Sequence, residues 1–165
     1  MWCEDCIAHC GDRMIDPKWG VWLARSVYNH VRTAVQAVDA AYDILLQEAP
    51  HPATQKYPKI EVRLDGPYFT GTVNDEWTLR VEINVLLTTT VGDKNLNEHG
   101  TLAGHIQRCL SKSLEIYKYG EVVESHLGTL NLGRVVATSL GRIKLDSPIQ
   151  QSVVEVPGFI VLKGV

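Results

Sequence analysis

The stretch that most constrains this chain runs from Trp77 to Thr89. Leu79, Val81, Ile83, Val85 and Leu87 take every second position, with Arg80, Glu82 and Asn84 between them. Side chains alternate sides along a strand, so this spacing makes one apolar face and one polar face. A strand with one wet face belongs to a sheet covered on one side only, which favours antiparallel pairing. Ile60, Val62 and Leu64, separated by Glu61 and Arg63, repeat the pattern over a shorter length. Both segments need an apolar layer to lie against.

The first candidate for that layer precedes them. Trp19, Leu23, Val27, Val31, Val35, Val38, Tyr42 and Leu45 recur in steps of three or four, which keeps them on one stripe of a helix. Arg25, Asn29, Arg32, Gln36, Asp39 and Asp43 fall opposite. Asp16-Pro17 is a helix start signal, with Asp as cap and Pro in the first turn. Gly20 weakens that turn, so the pattern predicts a helix from Trp19 to Glu48, stopped by the prolines of "APHPATQKYP". A second helix follows "GDKN". Asn95 and Glu98 have capping-box spacing, Leu102, Ile106, Cys109, Leu110 and Leu114 form its stripe, and Lys118, Tyr119 and Gly120 end it.

The rest reads as strands and turns. Asp65-Gly66-Pro67 and Asn74-Asp75 are turn signals, and "YFTGTV" between them is either a short strand or an extended loop. Strands are expected over Glu121 to Ser125, over Leu130 to Leu145 with a break near Gly133 or Gly141, and over Ser152 to Leu162. Pro157 marks the last as an edge strand or a bulge. The order helix, strands, helix, strands predicts an α+β domain: a mainly antiparallel sheet packed by a long N-terminal helix and a second central helix. Residues 17–165 form this single domain, behind a Cys-rich extension over residues 1–16.

Composition narrows the function. Charged residues make up 21% of the 165 residues and net charge is −3, with no run of Lys or Arg. A protein that works through phosphate contacts carries a basic stripe, so sequence-specific nucleic-acid binding is disfavoured. No apolar run approaches the roughly 18 residues that cross a bilayer, and no secretory signal is expected. Gly-rich phosphate loops and the GxSxG elbow are missing. His105 and Cys109 share a helix face but lack an orienting third group. His30 reads as a helix-flank residue, His51 and His126 have no ligand-spaced partner, and Asp93, Glu98 and His99 read as a solvated cap. No enzyme is expected.

The reactive residues gather at the start, in "MWCEDCIAHCGD". Cys3 and Cys6 have the spacing that brings two thiolates to one tetrahedral metal, and His9 and Cys10 follow closely. Zinc or an iron–sulfur cluster would suit such donors. A local disulfide, a cross-link to another subunit, or no defined role are the alternatives. The unsignalled cysteines point to a reducing compartment, and Cys109 reads as a core thiol.

The order of elements resembles that of phage tail-terminator proteins, the head–tail joining family of the neck. The resemblance is carried by "VWLARSVYNHVRTAVQAVDAAYDILLQEA", the proline-bounded crossing, "PKIEVRLDG", "WTLRVEINVLLTTT", "VGDKNLNEHG" and "TLAGHIQRCLSKSL", covering roughly residues 20–118. It implies a virion structural protein without catalytic residues, assembled in the host cytoplasm as a homo-hexameric ring. Such a ring caps the tail tube protein, docks the neck or connector protein, and passes DNA through its lumen without reading it. Contact is then expected from two loop segments: Pro67, Tyr68, Phe69, Asn74 and Asp75 with Trp77 behind them, and Asp93, Lys94 and Asn95. Strand edges with few Lys blockers suit pairing between subunits. Two readings of other classes stand beside this one, a metal-binding adaptor built on the opening cysteines and a small α+β enzyme with an unrecognised site.

Overall fold

The computed structural model describes residues 16–42, 44–46, 57–71, 76–90, 93–120, 122–142 and 149–163. Among the described residues two helices, α1 (Trp19–Gln36) and α2 (Asp93–Leu110), accompany seven strands. These are β1 (Ile44–Leu46), β2 (Lys59–Gly71), β3 (Glu76–Thr90), β4 (Leu114–Lys118), β5 (Ser125–Leu132), β6 (Val136–Arg142) and β7 (Ile149–Lys163). They form one sheet in the order β1-β2-β3-β7-β5-β4, with β6 also alongside β7. Among the described residues the three-residue β1 alone runs parallel to its neighbour, and the other pairs are antiparallel. The chain is therefore an α+β protein, with the expected sheet and helices.

The alternation of β3 sets the frame. It pairs with β7 from Glu76↔Lys163 to Thr90↔Ile149 and with β2 on its other side. Leu79, Ile83, Val85 and Leu87 are completely buried, as are Ile60 and Val62 of β2 and Val154 of β7. Onto this face α1 lowers Trp19, Trp22, Leu23, Val27, Val31 and Val35, and α2 lowers Leu102, Ile106 and Leu110. Each large aliphatic side chain removed from water contributes about 1.5–3 kcal/mol, so this single contact layer dominates the stability. The sheet curls around α1, which touches β4 on one side and β1 and β2 on the other.

Several boundaries differ from the sequence expectation. α1 ends at Gln36 and not at Glu48. Asp39 stops it: its Oδ1 accepts the Ala41 amide at 2.9 Å, and its carbonyl accepts the Tyr42 amide at 3.1 Å. An Asp side chain that binds backbone two residues on competes with the helix ladder. Val38 is therefore 38% exposed, and the chain turns to place Ile44 in a strand. Tyr28 Oη holds that strand by donating to the Ile44 carbonyl at 3.1 Å.

α2 begins at Asp93, two residues before the expected cap, and ends at Leu110. Lys118, Tyr119 and Gly120 close a strand instead, because Leu114 and Ile116 alternate with exposed Glu115 and Tyr117 and turn into the core. The expected break at Gly133 separates β5 from β6, and Gly141 lies at a bulge in β6. Pro157 occupies an interior strand, not an edge. Its carbonyl accepts the Gly133 amide at 2.8 Å, on the side where the β5 pairing gives way to β6. A residue's N–H and C=O point to the same side of a strand, so the missing donor of Pro157 falls at that gap and no ladder bond is lost.

Candidate interaction surface

Both helices lie on one face of the sheet. The opposite face follows from the register. Tyr68, Arg80, Phe159 and Asn131 form one cross-strand row, with Thr78 and Val161 in the next. Tyr68 is 55% exposed, Phe159 47% and Val161 44%. In the other direction Asp65 stands opposite Glu82, and Glu155 lies in the row beyond. Like charges directly opposite on adjacent strands are destabilising. Arg63 is the nearest cation on β2, but Glu61 already holds it at 2.8 Å. Glu61 is only 3% exposed although it points to this polar face, because Arg63 and Lys59 (3.5 Å) close over its carboxylate. The Tyr68 hydroxyl donates to Asp65 at 2.5 Å, and Asp65 and Glu82 together push its pKa up.

The expected contact residues divide. Pro67, Tyr68 and Phe69 belong to β2 and not to a loop, since the pairing resumes at Tyr68↔Arg80 after an irregularity at Asp65. Gly66 makes that irregularity possible. Its φ is +112°, and a Cβ there would meet the Arg80 carbonyl at 2.9 Å. Of the three, Tyr68 faces outward, Phe69 packs on the core, and Pro67 lies against α1 at Gly20. Trp77 also packs on the core, so it is a rim aromatic and not a free anchor. Asp93, Lys94 and Asn95 form the first turn of α2, and Asn74 and Asp75 lie outside the described residues.

Cys3, Cys6, His9 and Cys10 also lie outside the described residues. Among the described residues no group of three His, Cys, Asp or Glu side chains could hold a metal. No described helix is long and apolar enough to cross a membrane.

The outer ridge of α1 is the second exposed feature. Val21 is 66% exposed, and Arg25 and Arg32 follow on the same stripe. No acidic residue occurs anywhere in α1. Beside the ridge runs an open groove of about 690 Å3, lined by Val21, Ala24, Tyr28, Arg32, Leu64 and Pro67 among others. Arg25 also stacks on the Tyr119 ring, 4.7 Å from its centre.

On its inner side α1 closes the β4 border. Ser26, 4% exposed, accepts the Tyr117 amide at 3.1 Å, and the Trp22 indole donates to the Tyr119 carbonyl at 3.3 Å. That sheet border is covered by the chain's own helix, contrary to the expectation of an edge open to pairing between subunits.

Sequence reading missed a buried polar clip. His99 was expected in a solvated cap, yet it is 4% exposed. Its Nδ1 lies 2.9 Å from Thr89 Oγ1 and its Nε2 2.8 Å from Ser152 Oγ, which links α2 to β3 and β7. Burial lowers its pKa, so the ring is held neutral, with one nitrogen donating and the other accepting. Glu98 accepts the Tyr42 hydroxyl instead of capping the helix, which helps to raise that phenol to about 12. His30 Nε2 meets the Cys109 carbonyl at 3.0 Å, and His105 is exposed. Cys109 packs against the core as expected, and burial pushes its thiol up to about 11. Glu115 accepts from both His126 and Thr129 on the outer side of β4 and β5.

These parts define a two-layer α+β domain whose sheet has one face packed by its own helices and one face turned outward. No family model matches the chain, and no curated protein is significantly similar to it.

Proposed function

We propose that this chain is a virion structural protein of a phage neck, a tail terminator that assembles into a homo-hexameric ring. The ring caps the end of the tail tube and joins it to the connector, and DNA passes through its lumen. The observation that most supports the reading is the outward sheet face. Exposed Tyr68, Phe159 and Val161, set around Arg80 and beside the facing carboxylates Asp65 and Glu82, make the kind of mixed apolar and charged surface that a subunit contact uses. Net charge of −3 fits a passage that lets DNA slide without gripping its phosphates. In this reading capping works because a ring presents the tube with a matching face and offers the next tube ring none.

Electron microscopy of the purified protein tests this, alone and mixed with polymerising tail tube protein. Rings with a central hole, and tubes that stop growing once rings are added, are the expected result. Single particles that neither close into rings nor bind tube ends would overturn the reading.

A further inference from the structure

The outward sheet face and the α1 ridge lie on different sides of the subunit, and their properties are opposite. The face carries the protruding rings of Tyr68 and Phe159 on either side of Arg80, and its carboxylates exceed that one cation: Asp65 and Glu82 stand opposite each other and Glu155 is nearby. The ridge carries Arg25 and Arg32 with no acid in the whole helix, beside an open groove lined by Ala24, Leu64 and Pro67. Among the described residues no helix packs on the second face of the sheet, and around Tyr68, Phe159 and Val161 that face is exposed.

We infer that a second copy of this chain supplies that layer: the α1 ridge of one subunit packs on the outward sheet face of the next. The arginines of the ridge then reach the carboxylates of the facing sheet. Tyr68 or Phe159 enters the groove beside the ridge. A cation from the neighbour then adds to Arg80 in offsetting the Asp65–Glu82 opposition. The contact joins two different patches, so it is heterologous. Repetition of such a contact closes into a ring when its rotation allows, and continues as a filament otherwise. This rests on the ring reading above and names the surfaces that build it.

The test uses two full-length variants with acidic substitutions on surface positions. Val21→Asp with Arg32→Glu disables the ridge; Tyr68→Glu with Phe159→Glu disables the face. The two disabled patches are both acidic and cannot meet. Each variant alone should keep the wild-type circular dichroism and run as a monomer by native mass spectrometry. Mixed in equal amounts, they should form a dimer and nothing larger, since one intact ridge meets one intact face. The milder substitutions Arg32→Ala and Phe159→Ser, each made singly, should weaken self-association about thirty-fold or more without affecting folding. An oligomer that survives both acidic variants would overturn this contact while leaving the ring intact. Folded variants whose mixture stays monomeric would also overturn it. A wild-type protein that never associates would remove both the contact and the ring.

Discussion

Lowering the pH should loosen the attachment of α2 through one residue, His99. Its ring is buried between the hydroxyls of Thr89 and Ser152, and burial lowers its pKa below the ordinary 6.5. The nearest carboxylate in sequence, Glu98, is already bound by Tyr42. The unfolded chain therefore takes up a proton before the folded one does, and stability falls as pH drops below 6.5. It is fully present above that value. Between pH 6.5 and 5.5 the loss is bounded at about 1 kcal/mol, the free energy of protonating an ordinary histidine in the unfolded chain. The loss ends once the pH passes the folded pKa. Urea unfolding at several pH values and one protein concentration, followed by tryptophan fluorescence, measures it. His99→Gln should start about 1 kcal/mol less stable, because it cannot reach both hydroxyls. Its stability should then be flatter over this window by the amount the wild type loses. Parallel pH profiles for the two proteins would refute the reasoning.

Other substitutions probe other parts of the fold. Ile83→Ala empties a fully buried position in the central strand and should cost about 3 kcal/mol in chemical denaturation. Gly66→Ala forces a side chain into φ +112° and against the Arg80 carbonyl, and should cost about 2 kcal/mol by the same measurement. The Cys109 thiol, raised to about 11, should react with iodoacetamide at pH 8 about 100-fold more slowly than a free cysteine, read by peptide mass spectrometry.

The layers were legible because burial imposes period. Every second residue of β3 meets the helices, so its alternation is complete in the sequence, and the α1 stripe from Trp19 to Val35 is equally clear. Boundaries failed where two periods overlapped. Tyr42 falls on the helical stripe by spacing, yet Asp39 has already turned the chain. Leu114 is four residues beyond Leu110 and mimics another helical turn, although Ile116 two positions on reveals the strand. The contact residues were harder to read. Tyr68 and Phe69 are neighbours in sequence, and only the pairing after Gly66 decides that Tyr68 faces out and Phe69 faces in. The acidic opposition on the sheet, like the His99 clip, joins residues from separate strands. No local pattern announces either.

The central claim is that this domain is built to be covered by copies of itself. Sedimentation equilibrium of the full-length protein, across micromolar to near-millimolar concentrations, tests it most directly. A closed assembly of fixed stoichiometry, six subunits by the present account, is the predicted result. A single species with the mass of one 18.4 kDa chain at every concentration would contradict it.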